Sequence, residues 1–432
     1  MNPLKHSLLL LILGIPLLTV AQQTTVFTDA NASYKKANNY FDKGVFGKAM
    51  TEYEKTIQMI RPANEPELEM ILRYSELGLA KSAVRMNLPD GEKLMLDFIR
   101  RYSPDPIANE ALIEVANYYY NSRKYKKALE YFALIPTYQL NKEQKSEVRF
   151  KMGYANFVQQ KFQEAKNNFN QIKDIENQYY FPTNYYLGMC DFFSGNYSSA
   201  IKSFSRVEKS KRYKPYIPYY LAQIYFAQGE YDQLIYYAER QLKDDRVRNL
   251  EEINQLVGQA YFEKGDYAKA LPYLEYYADN SGKLREEEFY QLGFVQHQTG
   301  ETERLKKAIQ NFEQIADIDS ELGQSALYYI GDAQLKLNNK AGARVAFGRA
   351  SRMNYDPTIT EEAQFNYAKL SYELGFDTDA INTLQSITSN SKYYTEAQTL
   401  MSEIFQNTKN YERALVIIEN IPNRTPQLKE AY

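Results

Sequence analysis

The chain is 432 residues long, and its 52 basic and 54 acidic side chains leave a net charge of −2, with no cationic excess to neutralise a run of phosphates. One Cys and two His exclude an intramolecular disulfide and a cysteine-type zinc site. The 40 Tyr and 22 Phe, with no Trp, give an aromatic content above that of ordinary globular chains.

The first 21 residues read as an export signal. One Lys lies among Met1–His6, Ser7–Leu18 is apolar but broken by Gly14 and Pro16, and Thr19-Val20-Ala21 forms a cleavage site before Gln22. The apolar run is too short and interrupted to cross roughly 30 Å of hydrocarbon, and no Cys stands near the junction to carry a lipid. The expected location is a Gram-negative periplasm, with a secreted protein or one peripheral at the outer membrane as alternatives. Residues 22–29 read as a short linker, and no later segment is apolar enough to span a membrane.

From residue 30 to 432 a two-helix pattern recurs. A small residue closes one helix, a short turn follows, and a second helix opens with Ala and a bulky apolar residue four positions later. Gly195-Asn196-Tyr197 leads in this way to Ala200 and Phe204, and Gly265-Asp266-Tyr267 to Ala270 and Leu274. The opening positions are Ala49, Leu94, Ala128, Ala165, Ala200, Leu234, Ala270, Ala308, Ala343, Ala380 and Ala414, at steps of 34 to 38 residues after a first step of 45. Twelve residues before them stand Ala37, Ser82, Ala116, Gly153, Gly188, Ala222, Gly258, Gly293, Gly331, Ala368 and Ser402, all small. A small residue lets the second helix cross the first closely, and the following ring fills the volume between units. A lone unit would leave one apolar face wet; stacking removes it, at roughly 25 cal/mol per Å² of apolar surface. The long first step is read as an extended first helix in unit two with an altered turn at Leu88-Pro89-Asp90-Gly91, and the three extra residues between Gly300 and Ala308 as a loop change.

Small residue, turn glycine, ring, Ala, ring, and Pro after the second helix (Pro62, Pro136, Pro422) together resemble the tetratricopeptide repeat family. The resemblance covers nearly the whole mature chain. It implies an all-α fold, a right-handed α-solenoid of about eleven two-helix units, and a role in holding other proteins rather than in catalysis. The stretch Leu94–Phe98, Tyr102-Ser103-Pro104, Ala108 and Ala111 is similar to a variant found in bacterial envelope members.

The resemblance further implies that the second, fifth, ninth, twelfth and thirteenth positions of each first helix line a concave groove. Counted with the small residue as the eighth, the partner-binding candidates are Asn117, Phe150, Tyr154, Tyr185, Tyr219, Gln223, Gln259, Tyr290 and Phe294. The centre is aromatic, and Asp332, Lys369 and Glu403 make the C-terminal end charged. Gripping a C-terminal carboxylate needs Lys at the fifth and Asn at the ninth position of adjacent units, and only Asn117 fits. The aromatic lining suits an extended or helical peptide segment; the alternative is that the rings pack on one another across units.

Other chemistry finds no footing. Cys190, two residues after Gly188, reads as a buried small residue, and His6 leaves with the signal, so His297 is the only His of the mature chain. A Cys190–His297 pair would have to close across about three units, which a solenoid forbids. No phosphate-binding glycine loop, dinucleotide fingerprint, nucleophile elbow or His-Glu-x-x-His occurs. Glu286-Glu287-Glu288 reads as a helix start, Asp244-Asp245 as an inter-helix segment, and the cations of Lys209–Lys214 as a solvated turn. We therefore expect no catalytic residue, no cofactor, no metal and no nucleic acid.

Thr425-Pro426 reads as the start of another helix close to Tyr432, which favours a longer product over a frayed tail. Three function classes stay open: an exported scaffold binding envelope proteins or peptides in its groove, a glycan or peptidoglycan binder, and the docking or sensing arm of a longer enzyme or signalling protein. The oligomeric state is not legible.

Overall fold

Alternating small and bulky apolar positions at helical spacing give helix after helix, and a computed structural model describes residues 25–63 and 65–420 of the chain. The expected export signal and the helix start expected at Thr425-Pro426 lie outside the described residues. Among those residues no strand occurs, and no helix is long and apolar enough to cross a membrane. They fall into two compact units, one ending at Tyr213 and one beginning at Lys214.

The first unit contains five helix hairpins. These are α1 (25–42) with α2 (Phe46–Ala63), α3 (Glu69–Arg85) with α4 (Gly91–Tyr102), α5 (Pro106–Asn121) with α6 (Tyr125–Ala133), α7 (Lys142–Val158) with α8 (Phe162–Phe169), and α9 (Tyr180–Phe193) with α10 (Tyr197–Ser205). The second contains six. These are α11 (Ile217–Ala227) with α12 (Tyr231–Gln241), α13 (Leu250–Glu263) with α14 (Tyr267–Asn280), α15 (Glu286–Gln298) with α16 (Thr302–Glu313), α17 (Glu321–Lys336) with α18 (Lys340–Ala350), α19 (Pro357–Glu373) with α20 (Asp377–Ser386), and α21 (Tyr394–Asn407) with α22 (Tyr411–Asn420). Each unit is an all-α stack of repeats, and the eleven hairpins match the expected number.

Close crossing within a hairpin rests on the small residues. A Cβ added at Gly153 would lie 2.4 Å from the Phe169 ring, at Gly188 2.6 Å from Phe204, and at Gly331 2.8 Å from Phe347. Those three rings are fully buried. A methyl group there would push the second helix off the first.

Every hairpin turn holds one residue in the left-handed region: Gly44, Asn87, Arg123, Gln160, Gly195, Gly229, Gly265, Gly300, Asn338, Gly375 and Lys409. In ten of the eleven the next residue's amide donates to a carbonyl five residues back, as Asn196 N–H does to Asp191 at 2.8 Å; Gly300 is the exception. This hydrogen-bonded stop satisfies the last carbonyls of the first helix.

Ten of the eleven opening residues are the fourth of their helix; Ala308 is the seventh residue of α16. The three extra residues thus form nearly a turn of helix at the start of α16, correcting the loop reading. Arg304, in that added turn, pairs with Glu275. The first long step is also placed differently. Most of it lies in α2, which runs 18 residues and through Pro62, while α3, at 17 residues, is no longer than α7. Leu94 is 38% exposed, and Met95 occupies the buried position instead. Residues 25–29, read as linker, are helical and belong to α1.

Candidate functional site

In the first unit the first helices of successive hairpins contact one another directly. Asn117 on α5 donates to Glu147 on α7 at 2.9 Å, and Lys151 reaches both Asn117 (2.9 Å) and Glu147 (2.6 Å), closing a polar triangle. Beside it the rings gather. Tyr154 meets Tyr120 and Tyr125 edge-on at 6.0 and 6.2 Å and Tyr186 at 5.0 Å, and Phe150 lies 6.0 Å from Phe169 and 5.3 Å from Tyr179. Tyr185 is buried and stacks on Tyr213 at 4.7 Å. Its neighbour Tyr186 joins the cluster, a role its sixth position did not signal.

In the second unit Gln223 donates to the Tyr219 hydroxyl at 2.6 Å on α11, and Gln259 on α13 donates to Gln291 on α15 at 3.3 Å. Tyr290 and Phe294 repeat the ring arrangement: Phe294 meets Phe262, Tyr267 and Tyr329 edge-on at 5.6, 5.0 and 5.2 Å, and Tyr290 lies 6.0 Å from Phe312. Phe150, Tyr154, Tyr290 and Phe294 are all half-buried, so each ring packs between helices while keeping an edge in solvent.

Burial also fixes the chemistry. It pushes the phenols of Tyr120, Tyr186 and Tyr290 well above the ordinary tyrosine value, so they stay neutral and able to donate hydrogen bonds. It raises the Cys190 thiol to about 12, and a thiol held there is not a nucleophile at neutral pH. Cys190 and His297 lie in different units. Nε2 of buried His297 is 2.6 Å from Asp332, whose carboxyl is lowered to about 2, chiefly by that hydrogen bond, and Lys336 sits 2.8 Å from the same carboxylate. Lys369 and Glu403, the other charged ninth positions, are exposed.

Tetratricopeptide repeat models match residues 251–275 and 325–352, that is, the hairpin that opens with α13 and the hairpin of α17 and α18. The chain carries tetratricopeptide repeats. Among solved structures it is similar to the C-terminal part of a tetratricopeptide repeat-containing protein from Cytophaga hutchinsonii, at 14% identity over 57% of this chain and 97% of that one, TM-score 0.44. It is also similar to a tetratricopeptide repeat protein from Parabacteroides merdae, at 15% identity over 80% and 99%, TM-score 0.34. A chain of the APC/C hetero-tetramer Cut9-Hcn1 aligns at 10% identity over 96% and 98%, TM-score 0.28. No curated protein sequence matches.

The tetratricopeptide repeat positions also hold side chains that the fifth and ninth positions alone missed. Phe157 stands at a twelfth position and Val158 and Phe193 at thirteenth positions, and Phe193 is 52% exposed while packing against Phe162 at 5.4 Å and Phe157 at 6.5 Å. His297 and Lys336 hold the twelfth and thirteenth positions of α15 and α17. Asn117, the one residue matching the carboxylate-grip pattern, is engaged by Glu147 and Lys151.

Proposed function

We propose that this chain is an exported, non-catalytic scaffold that holds envelope proteins or peptide segments on the first-helix faces of its repeats, in support of a cell-envelope assembly. The tetratricopeptide repeat architecture supports a protein-interaction role, and the apolar, Pro-interrupted run before Gln22 supports export. One observation carries the reading furthest. The ring cluster of α5, α7 and α9 is internally packed, yet ends in Phe193 and Val158, both exposed at groove positions, which gives a rigid platform with an apolar edge. Such an edge suits the apolar side chains of an extended or helical segment.

The test is in-cell photo-crosslinking from Phe193 and Lys336, with exposed Lys209 as the control. Phe193 and Lys336 are better probe positions than Tyr154 and Phe294, whose replacement would disturb ring packing. A discrete envelope protein captured from the groove positions alone is the expected outcome. Equal labelling from Lys209, or no protein adduct from either groove position, would sink the reading.

A further inference from the structure

Among the described residues, three cavities of similar size are lined in part by second helices. One, of about 350 Å³, lies among α2, α3 and α4, where Arg61 and Arg101 both clasp Glu76 and Glu54 and Asp97 add two more carboxylates. Another, of about 300 Å³, lies among α18, α19 and α20 and balances Arg352 against Asp379. The third, of about 310 Å³, lies among α8, α9 and α10 and differs in charge: Lys166, Lys173, Lys202 and Arg206 face one carboxylate, Asp191.

That charge is held in place. Asp191 is buried and takes Lys166 at 2.6 Å, with the lysine itself mostly covered, so this pair forms the floor. Arg206 is fixed at the rim by Asp174 at 2.6 Å, outside the cavity, and by the Lys173 carbonyl at 3.3 Å. Lys173 and Lys202 also line the cavity and form no ion pair among the described residues, so two lysine charges there are uncompensated. Ser203, buried on α10, and Asn170 line the same space with neutral donors. Two free ammonium groups beside a fixed guanidinium, a hydroxyl and a carboxamide match a dianion with several acceptor oxygens better than a single carboxylate. The volume exceeds that of a bare phosphate and leaves room for the group that carries it.

We infer that the cavity among α8, α9 and α10 binds a phosphate monoester. The ester's source is either a small phosphorylated molecule or a phosphorylated side chain on a protein, and both present the same dianion.

The test is isothermal titration calorimetry of the purified chain at constant ionic strength, with inorganic phosphate, glycerol 3-phosphate and a phosphoserine peptide as the probes. At least one ester should bind with a Kd of about 1 mM or tighter, and Lys173→Gln/Lys202→Gln should weaken it at least about tenfold. Lys126→Gln, which removes an exposed cation elsewhere, should change nothing. Tighter binding of glycerol 3-phosphate supports a small-molecule source, and tighter binding of the peptide a protein source. Absence of binding by all three probes, or equal binding by the wild type and the double variant, overturns the proposal. Lys202 is exposed and Lys173 half-buried, so Lys202→Gln alone provides a second variant should the double one fold poorly.

Discussion

The ring cluster around Phe150 and Tyr154 in the first unit and the cluster around Tyr290 and Phe294 in the second share a frame and differ at the rim. Phe169 stacks on Tyr186 at an interplanar angle of 20°, and Phe312 on Tyr329 at 17°. The Phe150–Tyr186 and Tyr290–Tyr329 pairs both stand at 6.2 Å, and Tyr125–Tyr154 at 73° is matched by Tyr267–Phe294 at 75°. At the groove end the likeness stops. Phe157, Met189 and Phe193 in the first unit are replaced by His297, Asp332 and Lys336 in the second. Identical packing beneath unlike rims separates the two duties of an aromatic residue here: rings inside the frame hold adjacent repeats together, and rim residues decide what the surface presents.

If the frames are equivalent, removing their buried centres should cost the same. Phe169→Ala and Phe312→Ala are each expected to lose about 3–5 kcal/mol in guanidinium unfolding, and a cost below about 1 kcal/mol for one of them would break the equivalence. Tyr154→Ala and Phe294→Ala, with one edge already in water, should each cost about 2 kcal/mol by the same measurement. If either proves neutral, its ring is a free contact surface and not part of the frame.

The rims should part company in acid. The Asp332 carboxyl is held at about 2, against an ordinary value of 3.8, so its contribution is complete above about pH 4 and is lost as pH falls toward 2. A third of the side chain stays in water, which limits the effect to about 1–2 kcal/mol. Asp332→Asn should remove that part of the acid slope; an unchanged slope would show that the carboxylate is not linked to folding. The smallest expected effect is at Phe193→Ser, within about 0.5 kcal/mol of wild type in unfolding, because the ring is half exposed. The same change should remove the crosslinks collected around that position, and their persistence would move the binding edge elsewhere.

Much of the fold was legible because small residues at a fixed distance from the opening residue are a geometric demand, and each of the eleven is buried. Leu94 misled because α4 starts differently: Gly91 lies against the Ala83 backbone, a Cβ there coming within 2.8 Å of it, and Met95 turns inward. The added residues before Ala308 could not be assigned from length alone, since an extra helical turn and a longer loop use the same number of residues. The fate of the rings was less legible still. Periodicity puts Tyr154 and Phe294 on a face, but only the neighbouring helix decides that Tyr186 and Tyr329 will cover them.

The left-handed turn residues have a bearing on how this sequence can change over time. Six of the eleven are Gly, but Arg123, Gln160 and Lys409 carry side chains in a conformation that costs about 1 kcal/mol more than glycine would. Each is a local, hydrogen-bonded stop, so glycine there would add stability without altering what the first or second helices display. The chain therefore carries an unspent reserve at its joints. A protein with such a reserve can absorb costly substitutions on its faces one at a time, the latitude by which two copies of one frame could come to bear a phenylalanine at one rim and a lysine at the other.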